Sequence, residues 1–69
     1  MSGELIFLVE PAPEGGFTAR GIGVSIFTEA DSLEQLRESV RDAVACHFEP
    51  GEAPSVVRLH RVEDEVLAV

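Results

Sequence analysis

"DSLEQLRESVRDAVACHFEPG", residues 31–51, predicts a single amphipathic helix. Apolar residues recur at positions 33, 36, 40, 43, 44 and 48, which is the spacing of one helix face. Ser32 is the expected N-cap, and Gln35 completes a capping box three residues later. Pro50 and Gly51 disfavour continuation, so the helix is predicted to end near Phe48.

Before the helix, "ELIFLVE" at residues 4–10 predicts a first strand that is apolar on both faces. Side chains alternate along a strand, so Leu5, Phe7 and Val9 share one face. Ile6 and Leu8 share the other. One helix can cover only one of these faces. We therefore expect Ile6 and Leu8 to face a second subunit or to stay partly exposed.

The following segment, "PAPEGG" at residues 11–16, predicts a reversal of the chain. Prolines cannot donate ladder hydrogen bonds, so strand pairing is expected to stop at Pro11. Gly15 and Gly16 permit the positive φ angles of a hairpin turn. A second strand is predicted from residue 17 to about 22, and a third over residues 24–30.

After the helix, residues 55–62 predict a last strand beside or parallel to an earlier one. Residues 63–65 form an acidic break, and residues 66–69 are either a short strand or a packed tail. The predicted fold class is α+β. A three-stranded antiparallel meander and a fourth strand form one layer, and the helix packs on this sheet as the second. Residues 1–69 are predicted to form a single domain.

The length of the chain favours self-association. A domain of 69 residues buries a small core, and such scaffolds usually need a disulfide, a metal or a partner subunit. One cysteine cannot form a disulfide within the chain, and one cysteine with two histidines does not supply a usual structural zinc site. We therefore expect a homo-dimer or a higher homo-oligomer.

The net charge of −8 and the pI of about 4.4 disfavour direct nucleic-acid binding. The acidic surface either attracts a basic protein partner or serves only to keep the chain soluble. Three basic residues on predicted strands are expected to pair with acids: Arg20, Arg58 and Arg61. Residues 1–4 lack a basic signal region, and the longest apolar run is too short to cross a bilayer. A cytoplasmic location without membrane contact is expected.

Catalytic and metal-binding patterns are weak in this sequence. Cys46 and His47 are adjacent on the helix and point about 100° apart, so they are poorly arranged to share an ion. A nucleophilic pair of Cys46 and His60 is conceivable but lacks a flanking signature. Cys46 is predicted to pack as a small hydrophobe, and His47 to interact with the helix C-terminus. No enzymatic activity, metal or cofactor is predicted.

The doubled glycine followed by an aromatic residue and an alanine resembles the HicB-like antitoxin family, at Gly15, Gly16, Phe17 and Ala19. Members then show a strand, a polar turn, a capping Ser or Thr and an amphipathic helix. "FTEADSLEQLRESVRDAV", residues 27–44, is similar to that pattern at Thr28, Asp31, Ser32, Leu33, Glu34, Leu36 and Val40. The resemblance covers residues 4–62.

The resemblance implies a partial RNase H-like or double-stranded-RNA-binding-domain-like fold without nuclease activity. It also implies oligomers and binding to a small basic HicA-like toxin that cleaves mRNA. The shortened loop after the hairpin, and the lack of a C-terminal DNA-binding domain, suggest a stand-alone member. The acidic residues expected to face the toxin are Glu29, Asp31, Glu34, Glu38 and Asp42. The alternative is an orphan homo-oligomer with a structural or regulatory role and no toxin partner.

Overall fold

A computed structural model describes residues 3–69, and in this range the chain has four β-strands and one α-helix. The strands are β1 (Glu4–Pro11), β2 (Phe17–Gly21), β3 (Phe27–Ala30) and β4 (Val56–Arg61). The helix, α1 (Leu33–His47), connects β3 to β4. Residues 1 and 2, which the sequence assigns to the same domain, lie outside the described residues.

The strands form one mixed sheet in the order β3-β2-β1-β4. The pairs β1–β2 and β2–β3 are antiparallel, whereas β1 and β4 are parallel. Leu8 in the central strand β1 lies opposite Arg20 of β2 and His60 of β4. The α+β fold, with an antiparallel meander and a last strand parallel to an earlier one, is thereby confirmed.

The hydrophobic core lies between one face of the sheet and α1. Its buried side chains form one cluster: Leu5, Phe7, Val9, Ala19, Ile26, Leu36, Val40 and Val44. The helix contributes every fourth residue from 36 to 44, which is the stripe that its periodicity predicts. Ile6 and Leu8 lie on the opposite face of β1, as the alternation of side chains predicts, and are less buried than their neighbours.

Both ends of α1 are where the sequence predicts them. The Ser32 hydroxyl accepts a hydrogen bond from the Gln35 backbone N–H at 3.1 Å, which satisfies one of the unpaired donors of the first turn. At the other end, the N–H of Phe48 donates to the Val44 carbonyl at 3.1 Å. The start of the helix is therefore determined by a hydrogen bond between residues three positions apart.

The hairpin between β1 and β2 explains the two consecutive glycines. The Gly15 N–H donates to the Ala12 carbonyl at 3.1 Å, and the Ala12 N–H donates to the Gly16 carbonyl at 3.0 Å. Gly16 has φ +79°, and a Cβ there would lie 2.5 Å from the carbonyl oxygen of Ala30. Gly16 therefore both reverses the chain and lets the hairpin approach the end of β3.

The first strand is one residue longer than its predicted range of residues 4–10. Pro11 is the last residue of β1 and lies opposite Phe17 in the register. A proline lacks only the N–H donor, and at the end of a strand its carbonyl can still contribute to pairing. Pairing stops at Pro11 as expected, and only the predicted strand range of residues 4–10 is short by one position.

The third strand starts later than the sequence predicts. It begins at Phe27 rather than at residue 24, because the Gly21 N–H donates to the Ile26 carbonyl at 2.8 Å and closes a loop between them. Gly21 has no side chain, and a Cβ there would lie 2.6 Å from Val24 Cγ2. Val24 thus folds back over Gly21 instead of extending along β3.

The chain after β4 lacks regular secondary structure within residues 62–69. The Val62 N–H still donates to the Val9 carbonyl at 2.8 Å, which continues the alignment with β1. Val66, Leu67 and Val69 are exposed. Residues 66–69 therefore form neither the short strand nor the packed tail that the sequence allows.

Candidate functional site

An open groove runs between the β1–β2 hairpin, the end of β3 and α1. Its volume is about 920 Å³. The hairpin contributes residues 12–15, and the helix contributes Gln35, Glu38, Ser39 and Asp42. These elements meet because the missing side chain of Gly16 lets the hairpin lie against Ala30. We call this surface the acidic groove, since five carboxylates line it: Glu14, Glu29, Asp31, Glu38 and Asp42.

Four of the five acidic residues that the sequence selected as partner-facing are lining residues of this groove: Glu29, Asp31, Glu38 and Asp42. Glu29 lies at its rim, because the strand register places its side chain on the same sheet face as Phe27, away from α1. Glu34 does not line it and is exposed in the first helical turn. Among the groove's lining residues within residues 3–69 there is no Lys or Arg. Its carboxylates repel one another, so the binding of a cationic partner would be electrostatically favourable.

The opposite face of the sheet is uncovered by α1, and we call it the open face. Its apolar side chains are Ile6, Leu8, Ile22, Phe27 and Val56. Phe27 is 62% exposed and Ile6 is 37% exposed. The two residues that the sequence predicts to face a second subunit, exposed Ile6 and half-buried Leu8, are thus part of a broader apolar set on this face.

Basic residues are interspersed on the open face, in register with the apolar ones. Arg20 lies between Phe27 and Leu8 across three neighbouring strands. Arg58 lies opposite Ile6, and its Nε donates to the Glu4 carboxylate. Arg61 lies instead on the helix-side face of β4, opposite Val9, and its Nη2 donates to the Glu63 carboxylate at 3.0 Å. The expected pairing of basic residues with acids is confirmed for Arg58 and Arg61.

The candidate catalytic residues are dispersed. Cys46 is exposed, so its predicted packing in the core is wrong. The reason is helical geometry: Cys46 is about 200° around the axis from the buried Val44. His47 is in the last turn and its ring meets Phe48 edge-on, with ring centroids 4.9 Å apart. His60 is on the exposed part of β4.

Two further features concern metals and membranes. Within the described residues, no group of three or more His, Cys, Asp or Glu side chains is arranged to hold a metal ion. In the same part of the chain, the helix is too short and too polar to cross a bilayer.

The sequence did not indicate that Glu14, Gln35 and Ser39 belong to the groove. Glu14 is in the hairpin turn, far from the helix along the chain, and only the close approach of Gly16 to β3 brings the turn to this surface. Gln35, Ser39 and Asp42 are three or four residues apart, so helical spacing alone could have grouped them with Glu38.

Comparisons with known proteins identify relatives over most of the chain. A UPF0150 protein from Archaeoglobus fulgidus is 60% identical over 52 residues, which cover 75% of this chain and 77% of the relative. A UPF0150 protein from Thermotoga maritima is 39% identical over 66 residues, covering 96% of this chain and 93% of the relative. No family model and no solved structure matches the chain. With identities and coverage of this size, the chain belongs to the UPF0150 protein family.

Proposed function

We propose that this protein is an interaction module of the HicB-like antitoxin type, which binds and neutralises a small, basic, mRNA-cleaving toxin of the HicA-like kind. The proposal assigns it no catalytic role, no cofactor and no direct contact with nucleic acid. The observation that carries it is that four of the predicted partner-facing acidic residues line the acidic groove.

The charge of the groove supports a basic protein as its occupant. Acidic residues of the hairpin, of the end of β3 and of α1 line the groove, in a chain of net charge −8. A protein that binds RNA presents Lys and Arg to the phosphates. An acidic groove that covers such a surface would compete with RNA for the same cations. Inhibition would then require occupation of the RNA-binding surface and no chemical step.

The placement of four groove acids on or beside regular secondary structure also favours a docking role. Two of its acids, Glu38 and Asp42, are one helical turn apart on α1, whose start is fixed by the Ser32 cap. Glu29 and Asp31 flank the end of β3, directly before that cap. A preorganised arrangement loses less conformational entropy on binding than a flexible acidic segment does.

Neutralising two groove carboxylates should slow association with the toxin. For Glu38→Gln with Asp42→Asn, we expect the on-rate for a purified HicA-like ribonuclease to fall by roughly threefold to tenfold at low salt, because electrostatic steering is reduced. The dissociation rate should change little, since rim charges contribute mostly to encounter. Stopped-flow binding at several salt concentrations measures both rates.

The matched control removes the same charge elsewhere. Glu49→Gln with Glu52→Gln changes two exposed acids that do not line the groove. If both double variants lose the same fraction of the on-rate, net charge alone explains the effect. That result would contradict a site specific to the groove. Failure of the unmodified protein to bind the ribonuclease at all would refute the antitoxin proposal.

The open face favours a second candidate function, that of an orphan homo-oligomer without a toxin partner. Its apolar residues are exposed on a sheet face that α1 cannot cover. The accessible surface of the chain is 5306 Å², whereas a compact monomer of 7.4 kDa exposes about 4,200 Å². Association of two open faces would remove part of this excess from water.

Placing a charge on the open face should weaken this self-association. For Ile6→Asp we expect a smaller assembly by sedimentation velocity at micromolar concentration, because the carboxylate would be desolvated between apolar surfaces. Ala53→Asp introduces the same side chain at an exposed loop position and should leave the assembly unchanged. A wild-type protein that sediments as a monomer would exclude self-association through the open face.

A further inference from the structure

A second surface, between α1 and β4, combines apolar side chains with arginines. Helix α1 packs on β2 and β3, so the part of the sheet near β4 is less covered on the helix side. This leaves a cleft of about 400 Å³. We call it the arginine cleft, and its lining residues are Val9, Leu33, Arg37, Val40, Arg41, Val57, Leu59 and Arg61.

The arginine cleft concentrates the basic residues of the chain. It contains three of the five Lys and Arg residues of a protein whose net charge is −8. Within residues 3–69, Arg37 and Arg41 form no ion pair with Glu34 or Glu38. Arg61 pairs with Glu63 of its own chain, but both side chains are at least half exposed, so this ion pair contributes little. The cleft is thus suited to an apolar segment that carries negative charge.

The segment after β4 has this composition. It begins with three acids at residues 63–65 and continues as "VLAV" at residues 66–69. Val66 and Leu67 are 93% and 73% exposed. Side chains of an extended segment alternate, so Glu65, Leu67 and Val69 would share one face. That face offers one carboxylate and two apolar side chains.

The shape of the chain agrees with a tail that makes few contacts with its own domain. The radius of gyration is 13.5 Å, whereas a compact chain of this length has about 11 Å. The longest dimension is 51 Å, against 21 and 18 Å for the others. The surface in excess of a compact monomer is about 1,100 Å² by the scaling of area with mass, and the exposed tail contributes to it.

We propose that the arginine cleft binds residues 65–69 of a second copy of this chain, extended alongside β4. β4 is an edge strand of the sheet, so its outer backbone groups are available for pairing with an added strand. Leu67 and Val69 of the second copy contact Val57 and Leu59, and Glu65 approaches Arg41. This contact is separate from both the acidic groove and the open face.

Cross-linking between chains tests the proposal. In a Cys46→Ser background, one variant carries Arg41→Cys and another, differing in mass, carries Glu65→Cys. Both positions are exposed, so neither substitution disturbs the core. After mixing and mild oxidation, we expect a disulfide-linked dimer of the two different variants in several-fold excess over either self-linked dimer.

A matched control uses the other side of the same helix. Ser39→Cys, which lines the acidic groove and is about 160° around the helix axis from Arg41, should cross-link to the Glu65→Cys variant several-fold less than Arg41→Cys does. Equal yields from both helix positions would overturn the proposal. A variant that carries both Arg41→Cys and Glu65→Cys gives a second test. If it forms a disulfide within one chain and stays a monomer, its own tail occupies the cleft and the proposal is overturned. The cross-link should persist in the Ile6→Asp variant, and its loss there would assign the contact to the open face instead.

Discussion

Phe7→Ala is expected to destabilise the fold by about 3–5 kcal/mol, the usual cost of removing a buried phenylalanine side chain. Phe7 is 0% exposed and lies in the central strand, against the helix side of the core. A domain of 69 residues has a free energy of unfolding of roughly 3–10 kcal/mol, so a substantial fraction of the variant should be unfolded at room temperature. Urea unfolding followed by circular dichroism measures the change.

Phe27→Ala is the matched control for this prediction. It removes the same side chain from the open face, where Phe27 is 62% exposed, and should cost about 1 kcal/mol or less. Both variants should be compared at several protein concentrations, because self-association through the open face would add to the apparent stability. Similar losses for the two variants would mean that the helix-facing side of β1 is not the main core.

Gly16→Ala is expected to have the second-largest effect, about 2–5 kcal/mol. An alanine at φ +79° costs about 1–2 kcal/mol in backbone strain. Its Cβ would also lie 2.5 Å from the Ala30 carbonyl oxygen, and relieving such overlap typically costs a further 1–3 kcal/mol. Since about 1 kcal/mol shifts the melting temperature of a domain this small by roughly 4–8 °C, the fall should be about 8 °C or more.

Gly15→Ala separates the two contributions. Gly15 has φ +105°, but nothing lies within 4 Å of a Cβ built there. The control therefore carries backbone strain without the contact with β3, and it should retain more of the stability. If Gly15→Ala lowers the melting temperature as much as Gly16→Ala does, the close approach of the hairpin to β3 contributes nothing.

The elements that local chemistry determines could be predicted from the sequence. The Ser32 cap, the helical stripe from Leu36 to Val44 and the alternation along β1 depend on residues a few positions apart. The start of β3 could not, because it depends on how Val24 folds back over Gly21 and on the hydrogen bond between Gly21 and Ile26. Propensity alone favours an earlier start for that strand.

The candidate groove was only partly predictable for a related reason. Glu38 and Asp42 share a helix face by spacing, and Glu29 and Asp31 come just before the helix. Glu14 joins them through a contact between distant parts of the chain, which periodicity does not encode. The arginine cleft depends on where the helix sits across the sheet, since α1 packs nearer to β3 than to β4.

The two neighbours of β1 join it over very different lengths of chain. Its partner β2 follows after a short turn, whereas β4 pairs with it from the far end of the sequence. The entropic cost of closing a loop increases with its length, so the hairpin can form well before the parallel pair does. During folding, the second edge of β1 is therefore the last to be filled. Until β4 pairs with it, this edge of β1 can pair with a strand of another molecule instead. Strand β1 is therefore the main aggregation hazard of the nascent chain.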